Sequence, residues 1–108
     1  MKDLTEIRGQ IDEIDRRIVE LFEQRMELTD QVAAYKIATG KAVFDPERER
    51  QKLDAVAALA HSDFNSRGIR EWFSCLMDIS KERQYRLLEQ SGVRADGGDT
   101  KAYTGGEN

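Results

Sequence analysis

Polar residues interrupt the apolar faces of the helices that this sequence predicts. Arg25 takes the place of an apolar residue in a series that recurs every three or four positions from Leu4 to Tyr35. Lys36 follows eleven residues later, and eleven steps of about 100° return to nearly the same side of a helix. Two cations on a buried side are costly unless something pairs with them. We therefore predict that Arg25 and Lys36 hold an anion.

The two later helices carry similar interruptions. Glu49 shares a face with Leu53 and Val56, while Ser80 and Gln84 stand where the third helix would otherwise have Leu or Ile. Each residue has an ordinary explanation alone, such as a snorkelling cation, a first-turn carboxylate or a polar residue that fixes register. If the three sets converge, they line a small polar chamber inside a helical bundle.

The residue types in this predicted chamber limit its chemistry. Arg and Lys suit carboxylates, one Glu suits a hydroxyl, and Ser and Gln are neutral hydrogen-bond partners. The set includes no Cys or His nucleophile, no pair of catalytic carboxylates and no metal ligands. Such a lining suits a reaction that needs a small dianion folded into one conformation, with charge stabilised as a bond breaks.

A very long first helix must position the two cations. It is predicted from Leu4 to Ile37, ending near Gly40, which suits a C-cap. Such a helix is about 50 Å long, whereas a compact globule of this length is roughly 34 Å across. Its ends need cover, which a second copy of the chain would supply. The pattern predicts an all-α homodimer with three helices per chain.

The remaining boundaries follow from local signals. The pair Asp45-Pro46 predicts the start of the second helix, which runs to about His61. Asn65 or Ser66 is predicted to cap the third helix, which covers roughly 67–90.

The chain divides into a helical domain and a tail. The domain covers 1–90, and the Gly-rich, polar segment 91–108 is predicted to be a flexible tail or linker.

Composition excludes several classes of function. The net charge is −4 and no basic face is found outside the helix interior, which argues against nucleic-acid binding. The single Cys75 has no partner for an internal disulfide, and no zinc pattern occurs. No signal peptide and no run of about 20 apolar residues is found, so we expect a cytoplasmic protein without a membrane span.

The charged and polar residues of the three helices form a specific set. Its members are Arg8, Arg25, Lys36, the segment Asp45-Pro46-Glu47-Arg48-Glu49, Ser80 and Gln84. From about Leu4 to Gln90, the chain resembles the all-helical class of chorismate mutase. The resemblance implies an intertwined dimer whose long first helices pair across a two-fold axis. It also implies a Claisen-type rearrangement of chorismate to prephenate, without a cofactor, on the route to Phe and Tyr.

The same resemblance assigns roles to these residues. Arg8 and Arg25 would bind the two carboxylates of chorismate. Lys36 and Gln84 would donate hydrogen bonds to the ether oxygen, where negative charge grows as the C–O bond breaks. The remaining residues complete the site, with Glu49 and the Asp45 region at the ring hydroxyl and Arg48 and Ser80 assisting substrate binding.

Arg8 allows a separate geometric argument. It lies 17 residues before Arg25, which is about 25 Å along a helix and about 100° around it. Arg8 therefore cannot reach the small molecule that Arg25 of its own chain binds. It would do so from the antiparallel helix of a partner, giving two equivalent sites that both chains build.

Two alternatives remain open at this point. An isochorismate pyruvate-lyase would use similar cationic and Gln positions, on the same fold, with a related dianion. A non-catalytic helical dimerisation or regulatory module would leave the convergent polar residues unexplained. The tail hints at a fused or associated shikimate-pathway enzyme, such as prephenate dehydratase.

Overall fold

The computed structural model describes residues 1–92 of the chain. These residues form three helices and no strand: α1 (Leu4–Thr39), α2 (Pro46–Ala57) and α3 (Asp63–Ser91). The predicted all-α class with a very long first helix is confirmed. The division between a domain at 1–90 and a tail at 91–108 stays a prediction, and 93–108 lie outside the described residues.

Capping side chains set both ends of α1. The Asp3 carboxylate accepts a hydrogen bond from the Glu6 backbone N–H at 2.8 Å, as an N-cap residue does. Gly40 has φ 76° and donates its backbone N–H to the Lys36 carbonyl at 2.8 Å. Glycine adopts this left-handed conformation without strain. The predicted end at Gly40 is confirmed.

The start of α2 agrees with the sequence, but its end does not. Asp45 accepts a hydrogen bond from the Arg48 backbone N–H at 3.1 Å, and Pro46 occupies the first turn. The helix ends at Ala57 rather than near His61.

The predicted start of α3 was also wrong. Ser62 is the N-cap and accepts from the Asn65 backbone N–H at 3.1 Å, so Asn65 and Ser66 lie inside the helix. Ser66 instead donates its hydroxyl to the Ala57 carbonyl at 3.0 Å. The same carbonyl accepts from the Ala60 backbone N–H at 3.2 Å, so residues beyond the end of α2 satisfy this helix-end group.

Helix α3 packs against both α1 and α2. The core between them contains Ala33, Val43, Tyr85 and Leu88, of which Leu88 is 1% exposed. None of the three helices is long and apolar enough to cross a membrane.

An ion pair reinforces the contact between α1 and α3. Arg83 donates two hydrogen bonds to the Asp30 carboxylate, at 2.8 and 3.0 Å. Such a paired geometry is the most directional that Arg and a carboxylate can form. The Arg83 bonds lower the pKa of Asp30 from its ordinary value.

Most of the apolar face of α1 remains uncovered in one chain. Leu4 is 57% exposed, Ile14 47% and Leu28 58%, and the only buried residues of this helix are Thr29 and Ala33. The described part of the chain is 59 Å long but only 26 and 24 Å wide. Helix α1 therefore extends well beyond the residues that pack against it.

Candidate functional site

A cavity of about 330 Å³ opens between the three helices and is called the central cavity here. Its lining includes seven of the eight residues that the sequence singled out: Arg25, Lys36, Asp45, Arg48, Glu49, Ser80 and Gln84. The predicted convergence of polar residues from all three helices is therefore present in a single chain.

Ser80 links two residues of α1 at one side of the cavity. Its Oγ accepts a hydrogen bond from Arg25 Nη1 at 2.9 Å and another from Thr29 Oγ1 at 3.3 Å. A hydroxyl has two acceptor lone pairs and one hydrogen. Two of its three hydrogen-bonding positions are therefore occupied, which leaves one for a ligand.

The sequence interpretation missed Thr29. This residue is buried and lies four positions after Arg25, on the same face of α1. A hydroxyl at that spacing was the signal that would have revealed it.

Lys36 is not a solvated lysine at a helix end. Its Nζ donates a hydrogen bond to the Val43 carbonyl at 2.9 Å, and the side chain lines the cavity. Burial lowers the pKa of Lys36, while the nearby carboxylates of Asp45 and Glu49 act in the opposite direction. An ammonium carries three hydrogens, so two remain for a ligand.

Gln84 brings a neutral amide to the cavity one turn after Ser80. The residue is only 7% exposed. Its Oε1 is buried without a hydrogen-bond partner among the described residues. A buried acceptor left unpaired costs about 1–3 kcal/mol. The Nε2 hydrogens of the same amide are its donors, and these are the atoms that could bind a ligand oxygen.

The carboxylates at the start of α2 differ in their partners. Asp45 uses one oxygen to cap the helix, whereas Glu49 is half-buried and its Oε2 lies 3.0 Å from Lys81 Nζ. The sequence interpretation missed Lys81 because it follows Ser80 directly, about 100° around the helix from the predicted face.

Positive charge predominates around the cavity. Five cations line it together with two carboxylates: Arg25, Lys36, Arg48, Lys52 and Lys81 with Asp45 and Glu49. The local excess of three positive charges contrasts with the net charge of −4 for the whole chain. This field attracts a small anion with more than one negative charge. Residues 1–92 contain no group of three or more His, Cys, Asp or Glu side chains that could hold a metal ion.

Comparison with known proteins decides the family. The model of the family described as chorismate mutase type II matches residues 7–85. The chain belongs to the chorismate mutase type II family. No solved structure matches it.

Curated relatives of the chain include a chorismate mutase, a T-protein and a bifunctional chorismate mutase/prephenate dehydratase. The chain is 36% identical over 93 residues to the chorismate mutase of Methanocaldococcus jannaschii, covering 84% of this chain and 93% of that protein. It is 40% identical over 55 residues to the T-protein of Haemophilus influenzae, covering 51% of this chain and 15% of that protein. A bifunctional chorismate mutase/prephenate dehydratase of Buchnera aphidicola subsp. Acyrthosiphon pisum is 31% identical over 84 residues, covering 77% and 22%. The chain thus spans nearly all of one relative and under a quarter of the other two.

Of the eight predicted site residues, only Arg8 does not line the central cavity of this chorismate mutase family member. It is exposed on α1, 17 residues before Arg25. That separation is about 25 Å along the helix. The structure of a single chain therefore leaves one of the two expected carboxylate-binding arginines away from the site, and the contribution of Arg8 from a second chain stays a prediction.

Proposed function

We propose that this protein is a chorismate mutase, which rearranges chorismate to prephenate in the biosynthesis of phenylalanine and tyrosine. The observation that carries the proposal is the central cavity, where three helices gather an excess of three positive charges and neutral hydrogen-bond partners. Chorismate is a dianion with a ring hydroxyl and an ether oxygen. The cavity offers a suitable partner for each of these groups.

Arg25 and Ser80 would bind a carboxylate of the substrate. The hydrogen bond between Arg25 and Ser80 holds the guanidinium in place before the ligand arrives. The hydrogen of Ser80 adds a second donor next to it. Arg48, at the start of α2, also lines the cavity and would complete the binding of the dianion. These contacts exist in the ground state and would bring the two ends of the substrate together.

Lys36 and Gln84 would act on the transition state. As the C–O bond breaks, negative charge grows on the ether oxygen, and fixed donors aimed at that oxygen stabilise it. Lys36 is held by Val43 and retains two N–H donors, while the Gln84 amide donates at every pH of interest. The reaction then requires no proton transfer and no covalent intermediate on the protein.

Glu49 and the Asp45 region would accept the ring hydroxyl of chorismate. Both carboxylates line the cavity at the start of α2. Their negative charge would also disfavour a substrate carboxylate at that end of the cavity, which restricts the substrate to one orientation.

The functional unit would be an intertwined homodimer. Pairing of two α1 helices would cover the exposed apolar residues from Leu4 to Tyr35. An antiparallel arrangement would bring Arg8 of the partner subunit to the cavity as the second carboxylate-binding arginine. Two equivalent sites would result, each built by both chains.

The decisive experiment follows the loss of chorismate absorbance with purified protein. We expect turnover without added metal or cofactor, and no turnover by Arg25→Ala at an unchanged melting temperature. Isochorismate tested in parallel, with pyruvate as the measured product, would reveal a lyase. A non-catalytic module would turn over neither substrate, and a dianionic ring ether would leave its melting temperature unchanged.

Two broader proposals concern context. Two relatives described as bifunctional chorismate mutase/prephenate dehydratase match this chain over 22% and 23% of their own lengths, which supports a fused or associated shikimate-pathway enzyme. A cytoplasmic location also stays a proposal, which fractionation of cells would test.

A further inference from the structure

We propose that Lys81 is a positioning residue, which holds Glu49 in place to accept the ring hydroxyl of the substrate. This inference rests on the proposed function, because it concerns how one residue of that site is oriented. Lys81 is not among the residues that the sequence pattern and the family resemblance point to.

Three contacts fix the Lys81 ammonium at the edge of the central cavity. Its Nζ lies 3.0 Å from Glu49 Oε2 and 3.5 Å from Asp78 Oδ1. It also lies 4.6 Å from the centre of the Phe44 ring, within the range of a cation–π contact. The cation is thus held by α2, by α3 and by the connector that precedes α2.

The ion pair between Lys81 and Glu49 is more buried than an ordinary surface ion pair. The Lys81 and Glu49 side chains are 22% and 25% exposed, whereas Asp78 is 69% exposed. Exposed pairs contribute little because water screens them and both side chains stay mobile. Glu49 and Lys81 both line the cavity, where the screening is weaker and the partners are fixed.

The two oxygens of the Glu49 carboxylate have different partners in this proposal. An ionised carboxylate is only an acceptor and has about four lone-pair sites on its two oxygens. Lys81 lies at Oε2, which leaves Oε1 for the substrate hydroxyl. Because the Lys81 charge lies beside Glu49, it also reduces the repulsion between that carboxylate and an incoming dianion.

A double-mutant cycle on chorismate turnover tests this role. We expect Lys81→Met to lower kcat/KM about tenfold, mainly through KM, because the hydroxyl contact exists before the bond breaks. In the Glu49→Gln background, the same substitution should change kcat/KM less than about twofold, since the carboxylate that Lys81 positions is absent. Lys52→Met is the matched control. It also removes one cation from the cavity lining, but Lys52 makes no ion pair with Glu49, so its effect should be the same in both backgrounds.

Two outcomes would overturn the proposal. If Lys81→Met has wild-type kinetics, the ion pair between Lys81 and Glu49 has no role in the reaction. If Lys81→Met lowers kcat/KM by the same factor in the wild-type and Glu49→Gln backgrounds, Lys81 binds the substrate itself. A chorismate analogue without the ring hydroxyl gives a second measurement, because Lys81→Met should lower kcat/KM for this analogue by a smaller factor than for chorismate. If Lys81→Met does not fold, Lys81→Gln serves in the same cycle. An inactive wild type would refute the proposed function itself, whereas an active wild type without coupling would refute only the role of Lys81.

Discussion

The cross-chain position of Arg8 can be tested by combining two inactive variants. Arg8→Ala and Arg25→Ala should each be inactive, because every site of the proposed dimer needs one arginine of each kind. In a heterodimer of the two variants, one site combines Arg25 of the first chain with Arg8 of the second. The other site lacks both arginines. This sharing is expected because Arg8 and Arg25 of one chain are about 25 Å apart along α1.

The expected recovery follows from counting sites. Random pairing of equal amounts of the two variants makes about half of all dimers heterodimers, and each of these has one complete site out of two. About a quarter of the wild-type turnover per chain should therefore return. KM should equal the wild-type value, because each restored site is complete. The two variants would be unfolded together in denaturant and refolded, and chorismate loss would then be followed by absorbance.

A matched pair of variants provides the control. Arg25 and Lys36 line the cavity of the same chain, so a heterodimer of Arg25→Ala and Lys36→Ala has no complete site and should stay inactive. Light scattering would establish that dimers have re-formed in both mixtures. Absence of recovery in the Arg8 and Arg25 mixture, with dimers present, would place Arg8 outside the site. A fully active monomer would refute the shared site altogether.

Four further predictions concern single residues. Lys36→Met should lower kcat about 10²–10³-fold with little change in KM, because it removes a donor that acts only as charge develops; a normal kcat would contradict this role. Gln84→Glu should be poorly active near neutral pH and recover on acidification, since a carboxyl donates only when protonated, and a pH profile as flat as that of the wild type would remove Gln84 from the ether oxygen. Asp30→Asn should lower the melting temperature at pH 7. The hydrogen bonds from Arg83 lower the pKa of Asp30 in the folded state. Their stabilisation of the fold is therefore present above the unfolded pKa of 3.8 and is lost as the pH falls through the folded value. The melting temperatures of the wild type and the variant should converge in acid. Leu88→Ala should lower the free energy of unfolding by about 2–5 kcal/mol, and a loss below about 1 kcal/mol in denaturant titrations would place the core elsewhere.

Local signals in the sequence predicted most of the fold. The Asp45 side chain caps α2, and Gly40 adopts a left-handed backbone conformation at the end of α1. Both residues therefore mark helix ends regardless of what packs nearby. The start of α3 was harder to predict, because Ser62 is of a residue type that can cap a helix, as are the two predicted caps, Asn65 and Ser66. Ser62 takes that role, while Ser66 reaches the Ala57 carbonyl of α2. A contact between helices cannot be read from either helix alone.

Residues of the candidate site could be predicted from the sequence where they lie on a single face of a helix. Ser80 and Gln84 broke the apolar line of α3, and both are buried beside the cavity. Lys81 was missed because α3 packs on two helices, so its inner surface is wider than a single line of residues. Met77 and Leu88, three positions before Ser80 and four positions after Gln84, are buried on the same face of α3 as those two residues.

The contacts between α1 and α3 have a consequence for the order in which the chain acquires its structure. They join residues 51 to 55 positions apart, as in Thr29 with Ser80 and Arg25 with Ser80. At a synthesis rate of about 5–20 residues per second, α1 leaves the ribosome about 3–10 s before the α3 residues that pack on it. During that interval its apolar side has no partner from its own chain. If the proposed dimer forms, a neighbouring nascent chain on the same message would present an identical α1 during this interval, so the two first helices would pair before either chain is complete.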